Sequence, residues 1–478
     1  MKQIGTIVKS LQNIMRKDPG VSGDAQRIEQ VGWMIFLKIM DDKDQELELI
    51  HDDYASVIPE KLQWRNWAAD DEGMTGDGLK EFVDKDLIPG LKNLNIPGEE
   101  NKRAIIVREI FEGTNNYMKN GTIFRQVVNK LNEIDFNSSE DRHLFGDIYE
   151  TILKDLQSAG NYGEFYTPRA LTEIMTELTG VVPGEKILDP ACGTGGFLTS
   201  AIEHIRANHI KSVTDIKNLE KNIHGMELKP LPFMLCVTNL ILHDMETPGV
   251  DYVDSLNREY TSIGKTDQVD VILTNPPFGA SVSDGVETNF PQKYRTTESA
   301  DLFLVLMIRY LKDGGRAAIV LPDGSLTGDG VKRRIREHLL TKCNLHTVVR
   351  LPNSVFQPYA SVATNLLFFT KGSPTQTVWY WEHKIPDTMK AYSKTKPIWK
   401  SEFKNLEKWW NNRKENEQAW QVDFAELEKN GFNLDIKNPH VPEDAKAYTS
   451  KEIIEKLEHS FEKSDHLLKK LKQEVANG

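Results

Sequence analysis

Residues 186–198 read KILDPACGTGGFL, and the fold of this 478-residue chain is decided there. Ile187 and Leu188 form a short apolar strand that runs into Asp189-Pro190. Gly193, Gly195 and Gly196 then permit a tight turn and close approach of a ligand to backbone, before a helix begins near Phe197. Strand, glycine turn and helix in that order make a candidate cofactor-binding loop. The string lacks the terminal Lys-Ser/Thr of a phosphate-binding P-loop, and GxxxxGK[ST] occurs nowhere in the chain, which disfavours a nucleoside triphosphate motor.

Around this loop, from about residue 160 to 372, short β-branched and aliphatic runs alternate with helix-like stretches. The runs are KILD (186–189), NIHGME (222–227), VDVILT (269–274), RAAIVLP (316–322), LHTVVRLP (345–352) and TNLLFFTK (364–371). Such alternation predicts an α/β domain over 161–372 with a parallel, doubly wound sheet. In such sheets a ligand sits outside the carboxyl ends of the strands, where the strand order reverses.

The flanks have other textures. Residues 1–160 read as a helical domain: Phe145, Ile148, Tyr149, Ile152, Leu153 and Leu156 recur with helical spacing, EQVGWMIFLKIMDD (29–42) is helix-like, and 71–102 reads as loops. Residues 373–449 are polar and are expected to be irregular, yet they hold Trp379, Trp381, Trp399, Trp409, Trp410 and Trp420, six of the nine tryptophans. Beside Lys384, Lys400, Lys408 and Arg413, these rings either stack on bases or anchor a partner, or they staple a subdomain. Over 450–478, Ile454, Leu457, Phe461, Leu468, Leu471 and Val475 form a heptad seam broken by Ser464, which predicts a terminal helix that pairs with another chain.

Composition excludes several classes. With 39% hydrophobic and 27% charged residues the chain is globular rather than disordered. No apolar run nears the roughly 18 residues that cross a bilayer, and no signal peptide is legible, so a cytoplasmic protein without a membrane span is expected. Cys192, Cys236 and Cys343 lie far apart without CxxC spacing, which argues against a disulfide framework or a structural zinc site. The net charge of −12 implies that, if the chain works on nucleic acid, another chain supplies much of the grip.

Further along, Glu227 ends the second strand in GMEL, where a carboxylate can accept hydrogen bonds from both ribose hydroxyls of an adenosine-containing ligand. Asp254, in the DSL after the next strand, could hold an adenine amino group. Then comes Asn275-Pro276-Pro277-Phe278, directly after VDVILT. An exocyclic aromatic amine is a poor nucleophile because its lone pair is delocalised into the ring. The Asn275 side-chain oxygen and the Pro276 carbonyl, accepting its two N–H bonds, would favour a pyramidal, more nucleophilic nitrogen. The prolines stiffen the backbone, and Phe278 offers a face on which a flat base can stack.

GEFYTPR (163–169), DPACGTGGFL (189–198), GMEL (225–228) and NPPF (275–278), in this order, resemble the modification subunit of type I restriction-modification systems, an N6-adenine DNA methyltransferase. The resemblance implies a Rossmann-like methyltransferase domain with S-adenosylmethionine as cofactor. Glu164, Tyr166, Thr167 and Pro168 would lie nearest its methionine end. Asp189 and the turn of Gly193, Thr194, Gly195 and Gly196 would hold its methionyl and ribosyl parts, Glu227 the ribose and Asp254 the adenine. Asn275 and Pro276 would bind the target amino group of a flipped adenine, Phe278 would stack on it, and either Phe356 or Tyr359 would close its other face. The implied partners are double-stranded DNA, a specificity subunit serving two modification subunits, and a motor-nuclease restriction subunit. Direct transfer is expected, with neither a metal nor a covalent enzyme intermediate, and Cys192 beside the turn is read as packing. The competing readings are a self-sufficient DNA adenine-N6 methyltransferase that reads its site through 373–450, a protein glutamine methyltransferase, and a non-catalytic cofactor-binding scaffold.

Overall fold

The amino-terminal periodicity becomes α1 (Lys2–Met15), α2 (Asp24–Ile50), α3 (Lys102–Glu112) and α4 (Gly121–Asn132), joined by shorter turns. Asn101 caps α3 by accepting the Ala104 N–H, and Asn120 caps α4 by accepting those of Thr122 and Ile123. The computed structural model describes residues 2–96, 101–136, 149, 166–209, 213–440 and single helical positions between 454 and 469. Glu164 and most of the helix expected around 143–156 lie outside the described residues. Tyr149 is described; it is buried and donates its hydroxyl to the Leu235 carbonyl at 2.8 Å.

Helix α2 is buried continuously from Trp33 to Asp42, which a helix with this many charges tolerates only if they are paired. Lys38 reaches Asp42 at 2.9 Å, and Arg65 reaches Asp41 at 2.8 Å. Asp44, fully buried, accepts from the Tyr54 hydroxyl at 2.6 Å, from Ser56, and from Arg103 at 2.5 Å. Asp44→Ala leaves the largely buried Arg103 guanidinium without its carboxylate partner. It should cost about 3–5 kcal/mol, seen as a lower urea midpoint, whereas the exposed Lys85–Glu81 pair should cost under about 1 kcal/mol when broken.

The central region runs α5 (Arg169–Thr179), β1 (Ile187–Asp189), α6 (Gly196–His209), α7 (Val213–Asn222), β2 (Ile223–Glu227), α8 (Pro230–Leu242), β3 (Val250–Tyr252) and β4 (Val269–Thr274). It continues with α9 (Ser299–Tyr310), β5 (Leu311–Pro322), α10 (Val331–Lys342), β6 (Cys343–Leu351) and β7 (Thr364–Lys371). Each of the six strands expected from the sequence overlaps one of these strands. Beyond them come β8 (Thr377–Glu382), α11 (Lys404–Trp410) and β9 (Ala419–Asp423). Among the described residues the nine strands form one sheet in the order β3-β2-β1-β4-β5-β7-β6-β8-β9.

The α/β class stands, but the sheet is mixed rather than wholly parallel. The strands from β3 to β5 are parallel, whereas β7 pairs antiparallel with both β5 and β6. The link from β6 to β7, residues 352–363, contains no crossover helix, so the chain returns in the opposite direction. The expectation of an irregular segment over 373–449 is also corrected, because β8 and β9 add to the sheet edge. Their aromatic run TVWYWE packs inward: Tyr380 stacks on Trp420 at 5.3 Å, and Trp379 and Trp381 both meet Trp409. Of the six tryptophans, Trp399 alone is exposed. Stapling, not display, is what the others do.

One apolar core fills the face of the sheet shared by α1 to α6 and α8, and a second lies on the opposite face with α9 and α10. Gly32 of α2 sits so close to α8 that a Cβ there would come within 2.6 Å of the Met234 methyl. The helical region and the α/β region are thus welded by packing. No described helix is long and apolar enough to cross a membrane. Ile454, Leu457 and Phe461 of the heptad seam are exposed; Leu468, Leu471 and Val475 lie outside the described residues.

Candidate active site

Strand order reverses at β1, which has β2 on one side and β4 on the other. A cavity of about 290 Å³ opens there, beyond the carboxyl ends of these strands, where a doubly wound sheet places its ligand. Asp189 closes its floor. Its Oδ1 accepts the Ala191 N–H at 3.1 Å and the Thr274 hydroxyl at 2.7 Å, which ties β1 to β4. Only 1% of it is exposed, and burial pushes its carboxyl up to about 7.

The turn after β1 takes two left-handed residues, Gly193 at φ 52° and Gly195 at φ 81°. At Gly195 space is also short, since a Cβ would stand 2.8 Å from the Cys236 sulfur on α8. Cys192 is buried beside it, and burial together with Cys236 holds its thiol well above the usual range, which leaves it a packing group rather than a nucleophile.

Glu227 emerges at the end of β2 and locks this turn from the other side. One carboxylate oxygen accepts the Gly193 N–H at 3.0 Å and the other accepts the Lys229 N–H at 2.7 Å. Burial pushes this carboxyl up to about 7, partly offset by those two bonds. Each oxygen keeps a lone-pair direction for a further donor, so a ribose diol fits. Asp254 caps the turn after β3 by accepting the Leu256 N–H at 2.9 Å, and it lines the same cavity. The cavity's chemistry therefore suits an adenosine-containing cofactor: carboxylates facing hydroxyl and amine donors, with Val253 and Leu256 as apolar walls for a base.

At the end of β4, Asn275 borders the cavity. Its Nδ2 donates to the Thr167 hydroxyl at 2.9 Å, whereas its Oδ1 is buried and has no hydrogen-bond partner among the described residues. Phe278 is half-buried and meets Phe356 edge to face, 5.5 Å and 88° apart. Phe356 is fully buried, so it buttresses Phe278, and Tyr359 is the more accessible of the two aromatics on that loop.

The cavity thus gathers Thr167, Asp189, Gly193, Thr194, Gly196, Glu227, Asp254 and Asn275. It does not include Tyr166 and Pro168, which are buried behind it, or Gly195, which faces α8. Pro276, buried between the lining residues Asn275 and Pro277, and the half-buried Phe278 do not line it. Sequence reasoning missed Ser299, whose hydroxyl donates to the Pro277 carbonyl at 2.9 Å and fixes the loop. It also missed the wall Ala280–Ser283, pinned by Ser299 N–H to Ala280 O and Val282 N–H to Thr297 O. A serine opening the helix ESADLFL was the available signal.

Residues 140–447 match the model of the N-6 DNA Methylase family, and residues 4–131 match that of the HsdM N-terminal domain. The chain is 55% identical over 445 residues to the EcoEI type I restriction enzyme methylase subunit of Escherichia coli, covering 91% of this chain and 90% of that one. Among solved structures it resembles a chain described as a type I modification subunit from Vibrio vulnificus YJ016, with 42% identity and a TM-score of 0.82 over 92% of this chain and 97% of that one. It also resembles a chain from work on complex assembly and conformational transition of the type I R-M system, with 30% identity and a TM-score of 0.83 over 100% and 99%.

Proposed function

Because the chain belongs to the N-6 DNA Methylase family, as a type I restriction-modification methylase subunit and adenine-specific DNA methyltransferase, we propose that its cavity takes S-adenosylmethionine and that Asn275 faces the target amine. The observation that carries this reading is the buried Asn275 Oδ1 at the cavity's edge, unbonded among the described residues. A buried acceptor left without a donor costs about 1–3 kcal/mol, which a substrate N–H recovers.

Bound S-adenosylmethionine supplies an electrophilic sulfonium methyl. The rest falls to the chain. Glu227 and Asp254 orient by accepting hydroxyl and amine donors, and the glycine turn admits the cofactor against backbone. Asn275 Oδ1 and the Pro276 carbonyl accept the two N–H bonds of a flipped adenine and localise its lone pair on N6. Phe278, held by Phe356, stacks on the base and offsets part of the few kcal/mol that flipping costs. The partners implied are duplex DNA, a specificity subunit that selects the site, two copies of this chain per specificity subunit, and a motor-nuclease restriction subunit. The exposed Ile454, Leu457 and Phe461 fit a helix that packs on such a partner, and the work is done in the cytoplasm.

Transfer of radiolabelled methyl to unmodified DNA, by the chain alone and with its specificity partner, tests this. N6-methyladenine formed only with the partner is the expected result; site-specific methylation by the chain alone overturns the division of labour. The carboxyl environment adds a pH prediction. Glu227 must be ionised to accept both ribose hydroxyls, and without cofactor its carboxyl lies at about 7. Cofactor affinity should therefore weaken about tenfold from pH 8 to pH 6 as one proton is taken up, measured by calorimetry. The raised carboxyls act oppositely on the empty protein: their contribution to stability is present at acid pH and is lost as pH rises through 7.

A further inference from the structure

We infer that Thr167 is a positioning residue: its hydroxyl holds the Asn275 amide with the oxygen, not the NH2, turned toward the target base. This inference deepens the reading of the site given above and depends on it. An asparagine amide has two ends of nearly equal size and opposite hydrogen-bonding character. Turned the wrong way, it would set its own N–H donors against the donors of the adenine amine. The choice between the two orientations is therefore part of the chemistry.

Thr167 biases that choice when its own proton is engaged elsewhere. Its Oγ1 lies 2.9 Å from Asn275 Nδ2, and Asn275 Oδ1 is buried without a partner among the described residues. A hydroxyl can also donate, so the orientation is secure only if the Thr167 proton points elsewhere. Thr167 lines the cavity, where its O–H can turn toward a cofactor acceptor while the oxygen accepts from Asn275. The same residue would thereby make the orientation of the amide sensitive to an occupied cavity.

The backbone that carries Thr167 is well anchored. Pro168 leads directly into α5, and Arg169, its first residue, donates to the Gly196 carbonyl at 2.9 Å and to the Thr199 hydroxyl. Thr172 accepts from Ser200 at 2.8 Å. The segment is thus fastened to α6, the helix that follows the glycine turn, and its register against Asn275, 108 residues later, is set by the fold.

The test uses the complex with the specificity subunit. Thr167→Val keeps the shape and removes the hydroxyl; Thr167→Ser keeps the hydroxyl. Thr167→Val should lower kcat about 30-fold or more at saturating cofactor, over and above the cofactor affinity lost with the hydroxyl, which calorimetry measures separately, and Thr167→Ser should restore most of the kcat loss. A second readout needs no turnover. With S-adenosylhomocysteine bound, the affinity for a duplex with adenine at the target relative to one with purine, which lacks the 6-amino group, should fall from wild type to Thr167→Val, because the easier flipping of purine is common to both proteins. Wild-type turnover in Thr167→Val, or an unchanged preference for adenine, overturns the inference. Weakened cofactor binding in both variants with kcat unchanged overturns it too, making Thr167 a cofactor contact alone. If the wild-type complex itself transfers no methyl group, the proposed function fails, and the adenine-against-purine comparison still decides the role of Thr167.

Discussion

Asn275→Ala should lower methyl transfer by at least about 10²–10³-fold, the range seen when one preorganised polar group is removed from a developing charge, while cofactor affinity changes by less than about twofold. The asymmetry follows from the geometry. Asn275 stands at the end of β4 with its oxygen unbonded, and the groups suited to the cofactor, Glu227 and Asp254, hang from β2 and β3. Removal of the amide deletes an acceptor for the amine and leaves Glu227 in its two backbone hydrogen bonds. Single-turnover transfer with calorimetry on the same preparations separates the effects. Normal turnover in Asn275→Ala would mean that the amine is activated by another group.

Gly195→Val should nearly eliminate cofactor binding and lower the melting temperature by several degrees. Two penalties coincide at this position. At φ 81° a branched side chain is strained by about 1–2 kcal/mol, and its Cβ would meet the Cys236 sulfur at 2.8 Å, an overpacking that costs about 1–3 kcal/mol more. Either the Cys236 side chain must turn within a packed core or the turn must move off α8 and into the cavity. Gly184→Ala is the matched control: φ is 87°, but nothing lies within 4 Å of the added carbon. It carries the backbone strain alone and should leave cofactor affinity unchanged.

Much of the sheet was legible because strands buried on both faces show as unbroken apolar runs. β4 and β7 are nearly all buried, and VDVILT and TNLLFFTK announce it. Direction was not legible, since an apolar run reads the same whether its neighbour runs parallel or antiparallel, and β7 was misjudged for that reason. TVWYWE was not legible as a strand because it sits in a polar segment where tryptophans suit an interface or a staple as well as they suit a strand. The glycine turn, Glu227 and NPPF were found through local spacing. The bond from Asn275 to Thr167 and the edge-on support of Phe278 by Phe356 join residues 108 and 78 positions apart, and no periodicity carries that information.

Helix α5 is fastened along its whole length. Arg169 grips the start of α6, Lys400 from the Trp-rich segment meets Glu177 at 2.7 Å, and Arg316 of β5 donates to the carbonyls of Thr179 and Gly180 while pairing with Glu185 at 2.5 Å. The residue that orients the reactive amide thus hangs from a beam riveted at both ends. In the proposed arrangement this beam fixes where the Thr167 hydroxyl stands, and occupancy of the cavity decides where its proton points. A mutation that loosens a rivet such as Arg316 should be felt as a slower enzyme before it is felt as an unfolded one.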